Sequence, residues 1–416
     1  MNYIGVDLGT TNCKACLYDE NGTVLAKSAS PQRLITENGS AEQDANGWFE
    51  GVKRCIKALA AKNVAAIGIS TQGISFVPVD RDGNPLCNAV TWLDTRAHAE
   101  TERLREVFGE KVIYEKTGKP LNAAYTLPKL LWLQAHRPDL YRRADQFLLP
   151  LDYLNLKLTG RAVTDRSMAS GTMLYHLAAR DWDADLTEFS GIAREQLPEI
   201  GTAGTRVGTL LPNAARELDL PETVTVILGG QDQKLAALGA GIAEGVCTVS
   251  LGTATAVSKL NPPHGSGCPL FDFDDGRVFA EASIPTTGAA IAWLSGVLRV
   301  GYGEMDALAA KSPSGANGVR FGVDFTVGGG VSGLTLNTSS GDLVRALYEG
   351  IAREIKDKIA QMGGAERLRV FGGGANSAVL LRVISEVTQI DLRAARTAET
   401  AALGAAILAK KGAGIC

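Results

Sequence analysis

The same short motif occurs twice in this chain of 416 residues, once near the start and once past the middle. Residues 6–11 read Val-Asp-Leu-Gly-Thr-Thr, and residues 249–254 read Val-Ser-Leu-Gly-Thr-Ala. In each copy an apolar strand is predicted to end in Gly-Thr and to turn tightly, which leaves backbone N–H groups and hydroxyls facing outward. Such a turn suits the oxygens of a phosphate. Two copies indicate two halves of one molecule that offer their turns to the same anion, although either copy alone also fits an ordinary hairpin bend.

The two copies differ in charge. The first carries the carboxylate of Asp7 where the second has Ser250. A carboxylate beside a bound phosphate repels it unless a hard cation such as Mg²⁺ lies between them. The first copy therefore predicts a divalent cation together with the phosphate.

Length and composition favour a globular enzyme of two or three domains. The chain is 45% hydrophobic and has a net charge of −3, without a block of like charges. Nucleic-acid binding would need clustered lysine and arginine, so we do not expect it. No window approaches the ~20 apolar residues of a membrane span, and the N-terminus lacks a basic leader with an apolar core. We therefore expect a cytoplasmic protein with no membrane partner.

Cysteine and histidine do not predict a metal or redox site. The seven cysteines are scattered, and Cys13 and Cys16 form a C-x-x-C pair on a predicted strand. Residues three apart on a strand face opposite sides, which disfavours a shared zinc ion and a redox turn. The four histidines have no ligand spacing. We interpret both cysteines as core thiols.

The first 70 residues predict an α/β layer fold. Three strands form a meander at 3–7, 14–18 and 23–28. A helix over 44–62 then leads to an apolar strand at 65–70. Strands followed by a helix and another strand are typical of α/β proteins.

Polar residues follow the strand at 65–70, beginning with Gln72. Ligands of α/β sheets bind at such strand ends. Further on, Trp92, Asp94 and Arg96 alternate in a segment predicted to be extended, which would place all three on one face. A ring, a carboxylate and a guanidinium together suit a polyol. The alternative is an exposed Asp94–Arg96 ion pair with Trp92 in the core, and the residues alone do not decide.

A second candidate carboxylate is Asp232. A β-branched strand at 223–228 runs into Gly229-Gly230-Gln231-Asp232, and a helix is predicted to start at Leu235. A carboxylate on a glycine turn at a strand end can act as a base, but aspartate at a helix start is also a routine cap. The residues alone favour the cap.

The last third of the chain predicts a strand, a glycine turn and a helix in succession. The strand at 368–371 enters Gly372-Gly373-Gly374, and Ser377 can cap the next helix. Such a unit suits a nucleotide base and ribose lying flat on the backbone, although a tight connection is the alternative. Helices are predicted over 343–363 and 397–411, whereas the glycine-rich residues 261–342 give no clear pattern.

Six motifs, taken in order, give the chain a resemblance to the FGGY carbohydrate kinases over nearly its full length. They are residues 5–11; 92–96; 152–153 with 158–160; 229–233; 250–253; and 372–374 with 403–406. Each motif is weak alone, and their order makes the match strong. A G-x-x-x-x-G-K-[ST] loop is absent, so the chain is not a P-loop kinase.

The resemblance implies an α/β chain with the two-domain, actin-like (ribonuclease H-like) ATPase fold and an inter-domain cleft. Residues 1–228 would be the N-terminal domain on the sugar and phosphate side, and 229–416 the C-terminal domain on the nucleotide side. It implies ATP and Mg²⁺ as cofactors, and phosphorylation of a small sugar or polyol, most simply a ketose such as a pentulose.

The resemblance also implies roles for single residues. Asp232 would be the general base, and Asp7 would lie near Mg²⁺, through water. The sugar would be touched by Gln72, Asp94 and Gln233, with Tyr125 in the pocket wall. The ATP phosphates would lie on Gly9, Thr10, Thr11, Gly252 and Thr253, and the adenosine along Gly373, Gly374 and Asn376.

The chain departs from the family pattern at residues that bear on the sugar. Xylulose kinase-like members usually have Gln-Met-His-Gly where this chain has Gln72-Gly73-Ile74-Ser75, and the glycerol kinase-like Gln-Arg-Glu is also absent. The Gly-Glu-Arg-x-Pro segment is lost or replaced within residues 318–334, and the C-terminal domain is shorter than is typical. The identity of the sugar therefore stays open.

Two other functions remain as alternatives. An actin-like ATPase module would hydrolyse ATP as part of a chaperone or filament, and a sugar-sensing regulator would bind sugar without turnover. The retained Asp232 disfavours the regulator. We expect a small-molecule sugar or polyol as the partner, with no nucleic acid and no membrane, and we leave a homodimer open.

Overall fold

The computed structural model describes residues 1–273 and 276–414. Its strands, in chain order, are β1 (Asn2–Leu8), β2 (Asn12–Tyr18), β3 (Val24–Pro31), β4 (Ile35–Glu37), β5 (Ser40–Gln43), β6 (Val64–Thr71), β7 (Val77–Val79), β8 (Ala89–Val90), β9 (Gln146–Leu148), β10 (Val163–Asp165), β11 (Tyr175–His176), β12 (Asp181–Trp182), β13 (Glu199–Gly201), β14 (Arg206–Thr209), β15 (Thr225–Gln231), β16 (Val246–Leu251), β17 (Thr255–Leu260), β18 (Leu270–Asp272), β19 (Val278–Ile284), β20 (Arg320–Phe321), β21 (Val331–Ser332), β22 (Arg367–Phe371) and β23 (Asp391–Ala394).

The α-helices are α1 (Ala45–Ala58), α2 (His98–Phe108), α3 (Glu110–Thr117), α4 (Thr126–His136), α5 (Pro138–Arg143), α6 (Pro150–Thr159), α7 (Arg166–Gly171), α8 (Ala184–Ser190), α9 (Pro212–Leu218), α10 (Asp232–Ala240), α11 (Thr287–Leu298), α12 (Tyr302–Lys311), α13 (Ser340–Gln361), α14 (Ala378–Thr388) and α15 (Thr400–Gly412). Short 3₁₀ turns lie at Arg194–Gln196, Ala316–Gly318 and Gly373–Asn376. No helix in the described part of the chain is both long enough and apolar enough to cross a membrane.

The described chain forms two compact units. Unit 1 comprises Met1–Gly239, Leu270–Val278 and the chain from Glu399 onward, and unit 2 comprises Ala240–Pro269 and Phe279–Ala398. The predicted domain boundary between residues 228 and 229 stays a prediction.

Unit 1 contains a sheet in the order β14-β15-β6-β1-β2-β3. The predicted meander is confirmed, because β1 pairs antiparallel with β2 and β2 pairs antiparallel with β3. Strands β6 and β15 continue the sheet in parallel, so their carboxyl ends lie at the same edge as the end of β1. Cys13 and Cys16 are buried on β2, which confirms their interpretation as core thiols.

Helix α15, which is rich in alanine, packs tightly on this sheet. A Cβ atom added at Gly5 of β1 would lie 1.9 Å from the carbonyl oxygen of Ala402. That oxygen belongs to the helix backbone and cannot move aside, so glycine in the strand and alanine in the helix allow the close approach. The packing fixes the central strands, whose ends carry the candidate site.

Unit 2 repeats the central arrangement of unit 1 with different residues. Strand β16 pairs antiparallel with β17 and parallel with β22, and the sheet continues to β19 on one side and β23 on the other. Helix α13, predicted over 343–363, buries an apolar stripe of Val344, Leu347, Ile351, Ile355 and Ile359. In both units the Gly-Thr turn therefore follows a strand that has a parallel neighbour.

Candidate active site

The first Gly-Thr turn connects β1 to β2. The Gly9 amide donates to the Asn12 carbonyl at 2.9 Å, which closes the predicted tight bend. Gly9 and Thr10 are partly exposed, and Thr11 is exposed. The bend therefore offers backbone and hydroxyl groups to a ligand, as the sequence predicts.

A buried amide network supports this turn from beneath. Gln43 Nε2 donates to the Thr10 carbonyl at 2.7 Å, while Gln43 Oε1 accepts from Gln72 Nε2 at 2.7 Å and from Trp48 Nε1 at 3.0 Å. The Thr10 hydroxyl donates to Gln72 Oε1 at 3.1 Å and accepts from the indole of Trp92 at 2.8 Å. Sequence reasoning missed Gln43, because only the fold brings it to residues 10, 48 and 72.

Asp7 lies one residue before the end of β1 and is partly exposed. The Ser70 hydroxyl donates to Asp7 Oδ1 at 3.1 Å, and Lys14 stands opposite Asp7 in the β1–β2 ladder. Burial raises the pKa of Asp7 to about 6, although the Ser70 bond and Lys14 oppose the shift. The carboxylate is thus held in place and poorly solvated, a state that a nearby cation would relieve.

Asp232 opens helix α10, three residues before the predicted helix start. Its Oδ1 accepts from the Gln233 amide at 2.7 Å. The preceding strand β15 contains a bulge between Ile227 and Gly230. A Cβ atom at Gly229 would lie 1.6 Å from the Ile69 carbonyl oxygen, so only glycine fits there. This close approach brings Asp232 beside the end of β6, where Gln72 follows.

The remaining candidate sugar residues of unit 1 differ in exposure. Gln233 is partly exposed next to Asp232, and Tyr125 is partly exposed at the start of α4, where it packs against the core of unit 1. Gln72 is 1% exposed and Asp94 is 0% exposed. Gln233 and Tyr125 can therefore be reached by a ligand more easily than the other two.

The segment that contains Trp92, Asp94 and Arg96 is not extended, and this prediction is wrong. Strand β8 ends at Val90, and the Asp94 amide donates to the Thr91 carbonyl at 3.1 Å, which makes a turn. The carboxylate of Asp94 points inward because it accepts from the Ala41 amide at 3.0 Å and from the Arg96 guanidinium at 2.9 Å. The Asp94–Arg96 ion pair of the alternative interpretation exists, but Asp94 is buried and Arg96 is only partly exposed, and Trp92 is 42% exposed rather than in the core.

A buried lysine fixes the loop after β6. Lys129 Nζ donates to the carbonyls of Ile74 and Thr91, both at 2.9 Å. Ile74 has φ +51°, an unusual conformation for a β-branched residue. Its carbonyl also accepts from the Thr126 hydroxyl at 3.1 Å. Burial lowers the pKa of Lys129 to about 7. Helix α4 therefore holds the strained segment 72–75 in place, which local sequence patterns did not reveal.

The predicted nucleotide residues of unit 2 lie together. Gly252 and Thr253 in one turn, and Gly373, Gly374 and Asn376 after β22, line a single cavity of about 620 Å³. Apart from these residues the lining is mostly apolar, with Ile291, Ala292, Tyr302, Ile351 and Leu380 among its members. A concave apolar pocket with a few polar groups is the usual form of a small-molecule site.

One wall of this cavity comes from residues that sequence reasoning did not resolve. Helices α11 and α12 contribute Gly288 and Asp306. A Cβ atom at Gly288 would lie 2.2 Å from the Gly252 carbonyl oxygen, so α11 begins directly against the Gly-Thr turn. Asp306 Oδ1 accepts from the hydroxyls of Tyr348 at 2.8 Å and Ser377 at 2.7 Å. This carboxylate thereby joins three helices around the cavity.

Comparison with known proteins matches both units of the chain. A family model described as the FGGY family of carbohydrate kinases, N-terminal domain, matches residues 2–239, and the corresponding C-terminal domain model matches residues 313–413. The xylulose kinase of Staphylococcus epidermidis is 31% identical over 99% of this chain and 88% of that protein. The xylulose kinase of Bacillus subtilis is 29% identical over 99% of this chain and 88% of that protein.

A solved structure extends the match to three dimensions. The ligand-bound xylulose kinase from Lactobacillus acidophilus superposes with a TM-score of 0.94 at 25% identity, over 100% of this chain and 90% of that chain. This likeness confirms the predicted α/β fold of the actin-like ATPase class.

Proposed function

This chain belongs to the FGGY family of carbohydrate kinases and phosphorylates a sugar with ATP, and we propose that its acceptor is a ketose of the pentulose size. The observation that carries the proposal is the match, over nearly the full chain, to proteins named xylulose kinase. Residues 72–75, which depart from the family pattern, lie near Asp232. The identity of the sugar must therefore be determined by experiment.

We assign the general base to Asp232. Its position at a strand end, partly exposed and beside the loop after β6, suits a carboxylate that must reach a substrate hydroxyl. Asp232 takes the proton of the sugar hydroxyl. The oxygen of that hydroxyl bonds to the γ-phosphorus of ATP as the bond between this phosphorus and the leaving oxygen of ADP breaks. Positioning and charge neutralisation, rather than covalent chemistry, provide most of the rate in phosphoryl transfer.

The cavity of unit 2 supports the nucleotide assignment. Its apolar wall suits the adenine ring, and Gly373, Gly374 and Asn376 suit the ribose side of the adenosine. Gly252 and Thr253 then receive phosphate oxygens, as do Gly9, Thr10 and Thr11 in unit 1.

We propose that Asp7 holds Mg²⁺ through water. Three His, Cys, Asp or Glu side chains close enough to share a metal ion do not occur within residues 1–273 and 276–414. Mg²⁺ typically keeps several waters and uses one or two carboxylates plus substrate phosphates, which a single carboxylate near a phosphate turn fits. When bound, the ion would neutralise charge that develops on the transferred phosphoryl group.

For the sugar, we propose direct contacts from Gln233 and Tyr125, which are partly exposed. Direct contacts from Gln72 and Asp94 stay predictions. Their burial favours a supporting role, in which Gln72 orients the Thr10 hydroxyl and Asp94 holds the turn at 91–94 against Ala41.

The test is sugar-dependent release of ADP over a panel of pentuloses, ketohexoses, deoxyketoses, aldoses and polyols, with mass spectrometry of the sugar phosphate. At least one ketose should give turnover, and Asp232→Ala should reduce kcat by at least ~10²-fold. ATP hydrolysis that no sugar accelerates would favour the ATPase module, and sugar binding without ADP release would favour the regulator. A homodimer stays a prediction, which sedimentation velocity tests.

A further inference from the structure

The side chain of Gln231 fills the space beside Gly73 at one edge of the unit 1 sheet. Gln231 is the last residue of β15, directly before Asp232, and Gly73 lies two residues beyond the end of β6. A Cβ atom built on Gly73 would lie 2.2 Å from Nε2 and 2.6 Å from Cδ of Gln231. Gly73 does not have a positive φ, so glycine is needed there for room and not for its backbone conformation. The amide of Gln231 therefore takes the place of a side chain at residue 73.

The side-chain amide of Gln231 makes no hydrogen bond within residues 1–273 and 276–414. Its Oε1 is shielded from solvent without a donor. Its Nε2 makes no hydrogen bond with the described residues, yet it is not shielded and so keeps access to solvent. The backbone of Gln231 is fixed, because its N–H donates to the Ser167 hydroxyl at 3.0 Å. A side-chain amide on a fixed backbone, with one accessible polar atom and beside a candidate base, is an arrangement that a ligand oxygen would complete.

We propose that Gln231 is a substrate-contacting residue that determines which sugar is accepted. Its amide hydrogen-bonds an oxygen of the sugar close to the hydroxyl that Asp232 deprotonates, and Gly73 provides the room for it. The inference rests on the proposed kinase function. It adds a residue that contacts the sugar and a preference for sugars that carry the contacted oxygen. It also links the departure at residues 72–75 to Gln231, since a larger residue at position 73 would displace the amide.

The contact predicts a selectivity that depends on one sugar oxygen. An enzyme site that hydrogen-bonds a hydroxyl discriminates against the analogue that lacks it, because the site's polar group is then left unpaired. We expect the wild type to lose about 5- to 100-fold in kcat/KM on one monodeoxy analogue of its best sugar. Gln231→Ala should lose a similar factor on the parent sugar and almost nothing further on that analogue.

The experiment measures kcat/KM by ADP release for the parent sugar and each monodeoxy analogue, in the wild type, Gln231→Ala and Gln231→Met. The methionine variant keeps the volume and removes the amide, so it replaces the alanine variant if that one does not fold. Gly73→Ala should mimic Gln231→Ala on the same analogue and add little in the double variant. Gln32→Ala is the matched control.

Gln32 makes a suitable control because its side-chain amide also lies against a glycine, at another place in the chain. A Cβ atom at Gly51 would lie 2.0 Å from Gln32 Nε2, and that atom is buried without a partner. Gln32 lies directly after β3, whereas Gln231 is the last residue of β15 and precedes Asp232. Gln32→Ala should therefore leave the ratio of parent to deoxy rates unchanged for every analogue.

A binding measurement separates this inference from the kinase assignment. Calorimetric titration of sugars into Asp232→Ala, with and without Gln231→Ala, needs no turnover and should show weaker binding in the double variant. Unchanged selectivity of Gln231→Ala and Gln231→Met over all analogues would overturn the inference while leaving the kinase function intact. Absence of sugar binding to Asp232→Ala would overturn it as well, and absence of turnover in the wild type with sugar binding retained would count against the kinase function alone.

Discussion

Replacing Gln43 by alanine tests whether the buried amide network holds the first Gly-Thr turn. The substitution removes the donor to the Thr10 carbonyl and the acceptor shared by Gln72 Nε2 and Trp48 Nε1. Trp48 and Gln72 are 0% and 1% exposed, so water cannot easily replace the lost acceptor. Thr10 is partly exposed, so its carbonyl can turn to solvent.

The size of the effect follows from these burials. A buried donor left without an acceptor costs about 1–3 kcal/mol, so two orphaned donors cost about 2–6 kcal/mol of unfolding free energy. That is a large part of the ~5–15 kcal/mol by which folded proteins are usually stable. We also expect the KM for ATP to rise about tenfold or more, because the turn that we propose to bind phosphate loses its support, while the KM for the sugar changes less.

Urea unfolding followed by circular dichroism measures the loss, and hydrogen exchange of residues 8–12 locates it. Gln32→Ala is the control: Gln32 Nε2 is already buried without a partner among the described residues, so its removal leaves no donor newly unpaired and should not lower the free energy of unfolding as Gln43→Ala does. Gln43→Glu keeps an acceptor for Trp48 and Gln72 but cannot donate to Thr10 when ionised, which separates the two effects if the alanine variant does not fold. A stability of Gln43→Ala within about 1 kcal/mol of wild type would refute the reasoning.

Burial raises the pKa of Asp152 from 3.8 to about 7. Between pH 3.8 and pH 7 the folded chain therefore keeps a proton that the unfolded chain has lost, so the free energy of unfolding should fall as the pH rises through this range. Asp152→Asn should remove the part of this fall that Asp152 causes, whereas the part caused by Asp7 and Asp165, whose pKa values burial raises to about 6, should remain. The free energy of unfolding at pH 8 should rise by up to about 4 kcal/mol in this variant, as measured by urea unfolding from pH 4 to 8. Lys129 should change stability with pH in the opposite direction, because burial, with smaller effects of Asp94 and Arg96, lowers its pKa from 10.5 to about 7. The unfolded chain therefore holds the proton that the folded chain loses above pH 7. The free energy of unfolding, relative to that of Lys129→Met, should rise from pH 7 to 9 by up to about 1.4 kcal/mol per pH unit. Gly288→Ala places a Cβ atom against the Gly252 backbone and should raise the KM for ATP at least tenfold without changing the KM for the sugar; equal changes in both would contradict the nucleotide assignment.

The two Gly-Thr turns were predictable because their signal is local. The apolar run, the glycine and the threonine are adjacent in sequence, and the strands on either side appear at β1, β2, β16 and β17. The turn at residues 91–94 was not predictable for the opposite reason. Its conformation depends on the Ala41 amide, which lies 53 positions from Asp94 along the chain. An alternating pattern of residues cannot reveal such a partner.

The wall of the unit 2 cavity was missed because α11 has no polar face in its sequence. Its buried residues include Ala290 and Leu294, yet Trp293 and Val297 are 49% and 57% exposed. An apolar helix of this kind shows no helical period in hydrophobicity, which is the signal that sequence reasoning depends on. Asp306 was missed with it, since a single carboxylate on α12 acquires meaning only from its bonds to Tyr348 and Ser377.

The proposed base and the proposed selectivity of unit 1 depend on different kinds of contact. Asp232 is placed by backbone packing, because Gly229 approaches the Ile69 carbonyl so closely that no other residue fits. Gln231 and Gly73 contact each other through one flexible side chain, which can change size or polarity without shifting the strand behind it. Substitutions at 73 and 231 should therefore redirect the choice of sugar while the residual rate stays dependent on Asp232. A substitution at Gly229 should lower turnover on every sugar alike, since it moves Asp232, the proposed base.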